Sequence, residues 1–93
     1  MKSNYQYYII IDIEANYRFG TNIHEIIEIG AVKLDQNLNT ISTFQSFVKP
    51  RLEPVLSKLI RKKTKIMQYQ INKAKDLVVV LENFTKWIPI QKK

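Results

Sequence analysis

The first half of the chain reads as apolar runs of strand length separated by short polar breaks. Tyr5 to Ile13 is rich in Tyr and β-branched Ile, which favour extended structure over helix. Ile9, Ile10, Ile11 and Ile13 make this run apolar on both faces, so a central place in a sheet is expected. The polar stretch Ala15 to Asn22 leads to His24–Leu34, whose later part reads as a second strand. Ile27, Ile29 and Ala31 would share one face, with Glu28, Gly30 and Val32 on the other. Gly30 inside a strand usually marks a close approach. Asp35 to Asn39 is a turn, because Asp and Asn supply local hydrogen bonds and tolerate left-handed geometry. Thr40 to Val48 is a third strand, antiparallel to the second through this hairpin, and Pro50 ends the ladder.

The pattern then changes to helical spacing. Val55, Leu56, Leu59 and Ile60 predict a helix over about 54–62, with Pro54 tolerated in its first turn. Leu77, Val80, Leu81, Phe84, Trp87 and Ile88 predict another over about 76–88, with Asp76 as N-cap and Pro89 as its stop. Between them Thr64 to Lys75 is less regular, with Ile66 and Ile71 anchoring a loop or short helix. The expected fold is α/β: strands over about 5–13, 26–34 and 40–48 form a three-stranded, mostly antiparallel sheet, followed by two or three helices. Residues 1–93 are expected to form one partial domain with a modest core.

Composition narrows the chemistry. With no cysteine, disulfides and thiolate metal sites are excluded. No signal-like apolar segment stands at the amino terminus and no run reaches membrane-spanning length, so the cytoplasm is the expected compartment. The net charge of +7 is uneven. Residues 1–48 carry three Lys/Arg against five acids, a balance of −2, and residues 49–93 carry twelve against three, a balance of +9. An acid-bearing half beside a basic half suits a polyanion with a metal at its reacting phosphate; a solvated lysine-rich face fits the charge equally well.

The sharpest chemical feature is Asp12 and Glu14 at the end of the isoleucine run. Side chains two apart in a strand share a face. Two carboxylates there repel unless a cation stands between them, and Mg²⁺ or Mn²⁺ suits oxygen ligands and phosphates. The plain alternative is a strand running out to solvent with two surface acids. His24 reads as a polar residue near a strand start, and Glu25 and Glu28 as structural, Glu28 needing a donor if buried. Arg18, Lys49 and the basic run Lys58, Arg61, Lys62, Lys63 and Lys65 are candidate phosphate contacts or a solvated face. Tyr5, Tyr7, Tyr8, Tyr17 and Tyr69 could stack bases, though packing is their commoner use. No P-loop, HExxH, GxSxG or CxxC motif is present, which leaves P-loop hydrolysis, zinc proteolysis and serine hydrolysis without support.

Together the motifs resemble the amino-terminal part of a DEDD-type 3′→5′ exonuclease domain with a ribonuclease H-like fold. Ile11-Asp12-Ile13-Glu14-Ala15 resembles the first exonuclease motif. Glu25-Ile26-Ile27-Glu28-Ile29-Gly30-Ala31-Val32 resembles the second strand, and Phe44-Gln45-Ser46-Phe47-Val48-Lys49-Pro50 the third. Leu56-Ser57, Thr64-Lys65-Ile66 and Ala74 stand where the family has Leu-Ser/Thr, Thr-Gly-Ile and Ala, and Phe84 and Trp87 fit the helix that follows. The nearest branch contains the sporulation inhibitor KapD and the histone-mRNA and small-RNA exonucleases.

The resemblance implies that Asp12 and Glu14 are two of four acidic ligands to two Mg²⁺ or Mn²⁺ ions, in a DEDDh-type site acting on RNA or single-stranded DNA. Lys65 replaces the family's glycine, and Asn16 stands where a threonine is common. The family's later Asp motifs and its catalytic histidine have no counterpart here: the acids after the hairpin are Glu53, Asp76 and Glu82. The expectation is therefore a truncated domain whose first strand has a bare apolar edge, inactive alone or completed by a second polypeptide. That edge would also permit self-association. The alternatives are a non-catalytic nucleic-acid-binding module and an inert or regulatory fragment that docks on another protein.

Overall fold

The computed structural model describes residues 6–17 and 20–89. Among the described residues there are four strands: β1 (Tyr7–Tyr17), β2 (His24–Asp35), β3 (Thr40–Lys49) and the two-residue β4 (Lys75–Asp76). Three helices accompany them: α1 (Lys58–Thr64), α2 (Gln68–Asn72) and α3 (Leu77–Trp87). The sheet order is β1-β2-β3-β4, with β1–β2 and β2–β3 antiparallel and β4 parallel to β3.

Two expectations change at this level. The isoleucine strand is not central: among the described residues β1 lies at the sheet edge and β2 sits between β1 and β3. Ile10 is accordingly 57% exposed, and Tyr8, Ile11 and Ile13 are exposed as well. Among the described residues no strand pairs with the outer side of β1. β4 is also additional to the three expected strands. It pairs Lys75 and Asp76 with Val48 and Lys49, a link between distant segments that no local pattern announces.

β2 is irregular at one functionally placed point. Glu14 pairs with Glu28 and Ala15 with Ile26, so Ile27 is an extra residue in a β-bulge. The bulge separates Ile27 from Ile29 and Ala31, which strict alternation had placed on one face. Ile29 and Ala31 pack with Val48, Val80 and Phe84 beneath α3. Ile27 instead packs with Leu56, Ile60, Ile66 and Ile71, the core of a lobe made by α1 and α2.

α3 forms as its pattern requires. Asp76 accepts a hydrogen bond from Val79 N at 3.1 Å as N-cap, and Val80 and Phe84 are buried. Leu81 remains exposed, so the buried stripe is narrower than its spacing suggested. The carboxy-terminal end of α3 is fixed by Lys33, a lysine only 3% exposed. Its Nζ donates to the Trp87 and Pro89 carbonyls at 2.6 and 3.2 Å and lies 4.6 Å from the Trp87 ring centre. A cation suits carbonyls left without partners at a helix end.

α1 starts later than expected. Ser57 is its N-cap, accepting from Ile60 N at 3.2 Å, and residues 51–57 form a non-helical strap from β3. Leu56 and Ile60 are buried, whereas Val55 and Leu59 are exposed. Lys65 ends α1 with φ +66, the left-handed geometry that favours glycine. In the hairpin, Asp35 Oδ1 accepts from Asn37 N and Asn39 N at 2.8 and 2.9 Å, as expected of an Asp-initiated turn. The left-handed position is taken by Leu38 rather than by an Asn.

Candidate functional site

Directly paired residues in an antiparallel ladder point to the same side of the sheet. Asp12 pairs with Gly30, which pairs with Gln45; Glu14 pairs with Glu28, which pairs with Phe47. Asp12, Glu14, Glu28, Gln45 and Phe47 therefore share one face, opposite the one covered by α3. Along the strand Asp12 and Glu14 are spaced by about 7 Å, and the β2 bulge follows directly after the Glu14–Glu28 pair.

This face combines charge with access. Asp12 and Gln45 are exposed, and Glu14 and Glu28 half-buried. Glu28 Oε2 accepts from Gln45 Nε2 at 2.9 Å, the donor that a carboxylate in an apolar strand was expected to need. Like charges placed opposite each other destabilise a sheet pair. A cation beside Glu14 would relieve that repulsion, and the all-oxygen donor set of Asp12 and Glu14 fits Mg²⁺ or Mn²⁺. Among the described residues, no cluster of three or more His, Cys, Asp or Glu side chains is arranged to hold a metal. Gly30 does not mark a tight approach: an added Cβ would find Asp12 O at 3.8 Å, an ordinary contact.

The basic candidates fall into separate groups. Lys58, Arg61, Lys62 and Lys63 lie exposed on α1, the last three in its final turn, and Lys65 follows, also exposed. The α1–α2 lobe packs against Phe47, on the acid-bearing face. Lys49 is exposed at the end of β3, and Arg18 and Tyr5 lie outside the described residues. His24 is exposed at the start of β2 and stacks on Tyr17 at 4.6 Å. Tyr69 is exposed beside Lys73, whose Nζ lies 5.7 Å from its ring centre. A cavity of about 230 Å³ lined by His24, Ile26, Val48, Lys49, Arg51 and Leu77 contains neither Asp12 nor Glu14 in its wall.

Two residues read only as structural, or as a departure from a motif, organise the neighbourhood of the acids. Glu25 accepts from the backbone N–H groups of Arg51, Leu52 and Glu53 at 2.7–3.0 Å. Burial raises the pKa of its carboxyl, but those three donors and the Arg51 cation outweigh burial and hold it below the ordinary value. Asn16, only 3% exposed, donates to the Glu53 and Val55 carbonyls and accepts from Ser57 N. The available sequence signal was a polar residue at each of two adjoining strand ends, which does not reveal the partner segment.

Comparison with known proteins fits this arrangement. Residues 9–92 match the model of the exonuclease family RNase_T. The chain is 37% identical over 91 residues to ERI1 exoribonuclease 2 of Homo sapiens, covering 94% of this chain and 13% of that protein. It is 34% identical over 93 residues to 3′-5′ exoribonuclease 1 of Homo sapiens, covering 96% and 27%. Among solved structures, the nuclease domain of 3′hExo, a DEDDh family member bound to rAMP, matches with a TM-score of 0.83 and 35% identity. That match covers 95% of this chain and 46% of the other. Cell-death related nuclease 4 matches with a TM-score of 0.80 and 29% identity, covering 88% and 29%. The chain thus spans about a quarter or less of these two curated relatives and under half of either solved chain.

Proposed function

The chain belongs to the RNase_T exonuclease family, and from that premise we propose that it serves metal-dependent 3′→5′ hydrolysis of RNA, with single-stranded DNA as the second candidate substrate. The observation that carries this reading is the placement of Asp12 and Glu14 on the face of the sheet opposite α3. Exoribonuclease names among the relatives support RNA.

In this reading Asp12 and Glu14 hold Mg²⁺ or Mn²⁺ by their carboxylate oxygens. Held there, such ions would supply activation of a water and charge stabilisation for the leaving 3′ oxygen. Gln45, by holding Glu28, keeps the neighbouring carboxylate occupied. The exposed cations of α1 on the same side of the sheet, Arg61, Lys62 and Lys63, contact phosphates of the strand.

We further infer that residues 1–93 alone turn over slowly or not at all, and that a complementing polypeptide supplies the other ligands at the β1 edge. Two observations support this: among the described residues no group of three or more His, Cys, Asp or Glu side chains is arranged to hold a metal, and Tyr8, Ile10, Ile11 and Ile13 stand exposed on that edge. The second reading is a non-catalytic RNA-binding module, favoured by α1 cations that are exposed irrespective of any metal.

The test compares the purified chain with the Asp12→Ala/Glu14→Ala variant. Mn²⁺ binding is followed by calorimetry, and shortening of 5′-labelled single-stranded RNA and DNA is followed in Mg²⁺, Mn²⁺ or EDTA. Metal affinity is expected to fall more than roughly 100-fold in the variant, since even outer-shell changes cost 10–100-fold. Thermal stability without metal should hold or rise slightly, as Asp12 is exposed and loss of Glu14 removes its repulsion with Glu28. Any stepwise shortening should vanish in EDTA and in the variant. Equal Mn²⁺ binding by both proteins would end the metal reading and leave the binding module.

A further inference from the structure

Asn16 and Glu25 are cross-strand partners just beyond the bulge that follows the acid pair. Between them they hold the strap 51–57, the connection that leads from β3 into α1. Glu25 takes the N–H groups of three consecutive residues: Arg51 at 2.8 Å, Leu52 at 3.0 Å and Glu53 at 2.7 Å. Asn16 takes the next part, donating to Glu53 O at 3.4 Å and Val55 O at 3.2 Å and accepting from Ser57 N at 3.1 Å. Gln68 of α2 closes the remainder, accepting from Leu56 N and donating to Pro54 O, both at 2.8 Å.

The strap belongs to no strand or helix, so these side chains supply bonds that a ladder would otherwise give. Ser57, bonded to Asn16, is also the N-cap of α1. Asn16 is two residues from Glu14 on the same strand. Through Asn16 and Ser57, the acid-bearing strand is therefore connected by hydrogen bonds of 3.1 and 3.2 Å to the first turn of the basic helix.

We propose that Asn16 and Glu25 are positioning residues that hold α1 at a set distance from Asp12 and Glu14, so that divalent metal on the acids and RNA on α1 bind cooperatively. The proposal rests on the reading of Asp12 and Glu14 as metal ligands. Neither Asn16 nor Glu25 touches metal or RNA in it. They act through the strap. A clamp of purely structural value would lower stability without altering the coupling between two ligands.

The experiment measures the affinity of a hydrolysis-resistant phosphorothioate oligouridylate with and without Mn²⁺, for wild type, Asn16→Ala, Glu25→Gln and Asp12→Ala/Glu14→Ala. Mn²⁺ should tighten RNA binding by wild type about 10-fold, within the usual range of coupling between sites. In Asn16→Ala and Glu25→Gln that gain should drop below about 2-fold, while Mn²⁺ affinity without RNA and RNA affinity without Mn²⁺ hold. Absence of any gain in wild type, or a gain that survives in the acid variant, removes the metal–RNA reading itself. A normal gain in wild type that is lost in the acid variant and retained in both strap variants overturns this proposal alone. Should the strap variants fail to fold, amide exchange on wild type decides. The Arg51, Leu52, Glu53 and Ser57 amides should be protected and slow further when Mn²⁺ and RNA bind together; no response there overturns the proposal.

Discussion

On the α3 side of the sheet, Ile29, Ala31 and Val48 meet Val80 and Phe84, and the Phe44, Phe84 and Trp87 rings pack within 6 Å of one another. On the other side, Asp12, Glu14 and Glu28 stand at least partly in solvent, and the α1–α2 lobe is joined to the sheet by Ile27, Phe47 and Tyr17. Its connecting strap is held by carboxylate and amide groups as well as by the burial of Leu56. The first side contributes most through burial, which is non-directional. The second depends on directional bonds, which set spacing. Under the proposed function, phosphate between carboxylates and cations would need the second kind of control, and the α3 side leaves the acid-bearing face free to have it.

Three changes separate these contributions. The largest effect is expected from Phe84→Ala, which empties the centre of the aromatic group and should cost about 4 kcal/mol in urea unfolding. In a core this small that loss leaves much of the chain unfolded. A cost below about 1 kcal/mol, as for a surface change, would show that the α3 side is not the main source of stability.

The strap should respond next, and to acid. Glu25 has a folded pKa below its usual 4.5, so its contribution is complete above that value and is lost as pH falls through the folded pKa. Glu25→Gln should cost about 1 kcal/mol at neutral pH, because solvent screens the charge and the amide oxygen still accepts part of the bonding. The gap between the two proteins should close below pH 4.5. Stability curves that stay parallel into acid would contradict the assignment.

The smallest effect, and the one stabilising change, is expected at Lys65. Its φ of +66 is unfavourable for any side chain with a Cβ. Lys65→Gly restores the residue that the family pattern has here, and should add about 0.5–1 kcal/mol in urea unfolding after the entropy cost of glycine. A loss of stability would mean that the lysine side chain contributes more than its backbone geometry costs.

Much of this molecule was legible from local pattern. The β-branched density of Tyr7–Ile13, the Asp35 turn and the Asp76 cap each act over a few residues, so composition and spacing suffice. Residues Glu53 to Ser57 misled because Val55, Leu56, Leu59 and Ile60 have helical spacing, yet Asn16 and Gln68 supply backbone partners that a helix would otherwise provide. The bulge at Ile27 was equally hidden, since one extra residue reverses a face without altering composition.

The sequence by itself determined the central parts of the first three strands, the capped final helix and the same-face pairing of Asp12 and Glu14, because these follow from backbone periodicity; it did not show β4 or the run of β1 on to Tyr17. It also carried the family, through linked motifs in order. The tertiary structure alone decided that β1 lies at the edge among the described residues, that Glu28 faces Glu14, and that Asn16 and Glu25 grip the strap. Those outcomes depend on which distant segment satisfies a given polar group or covers a given apolar face, and no local pattern specifies that partner.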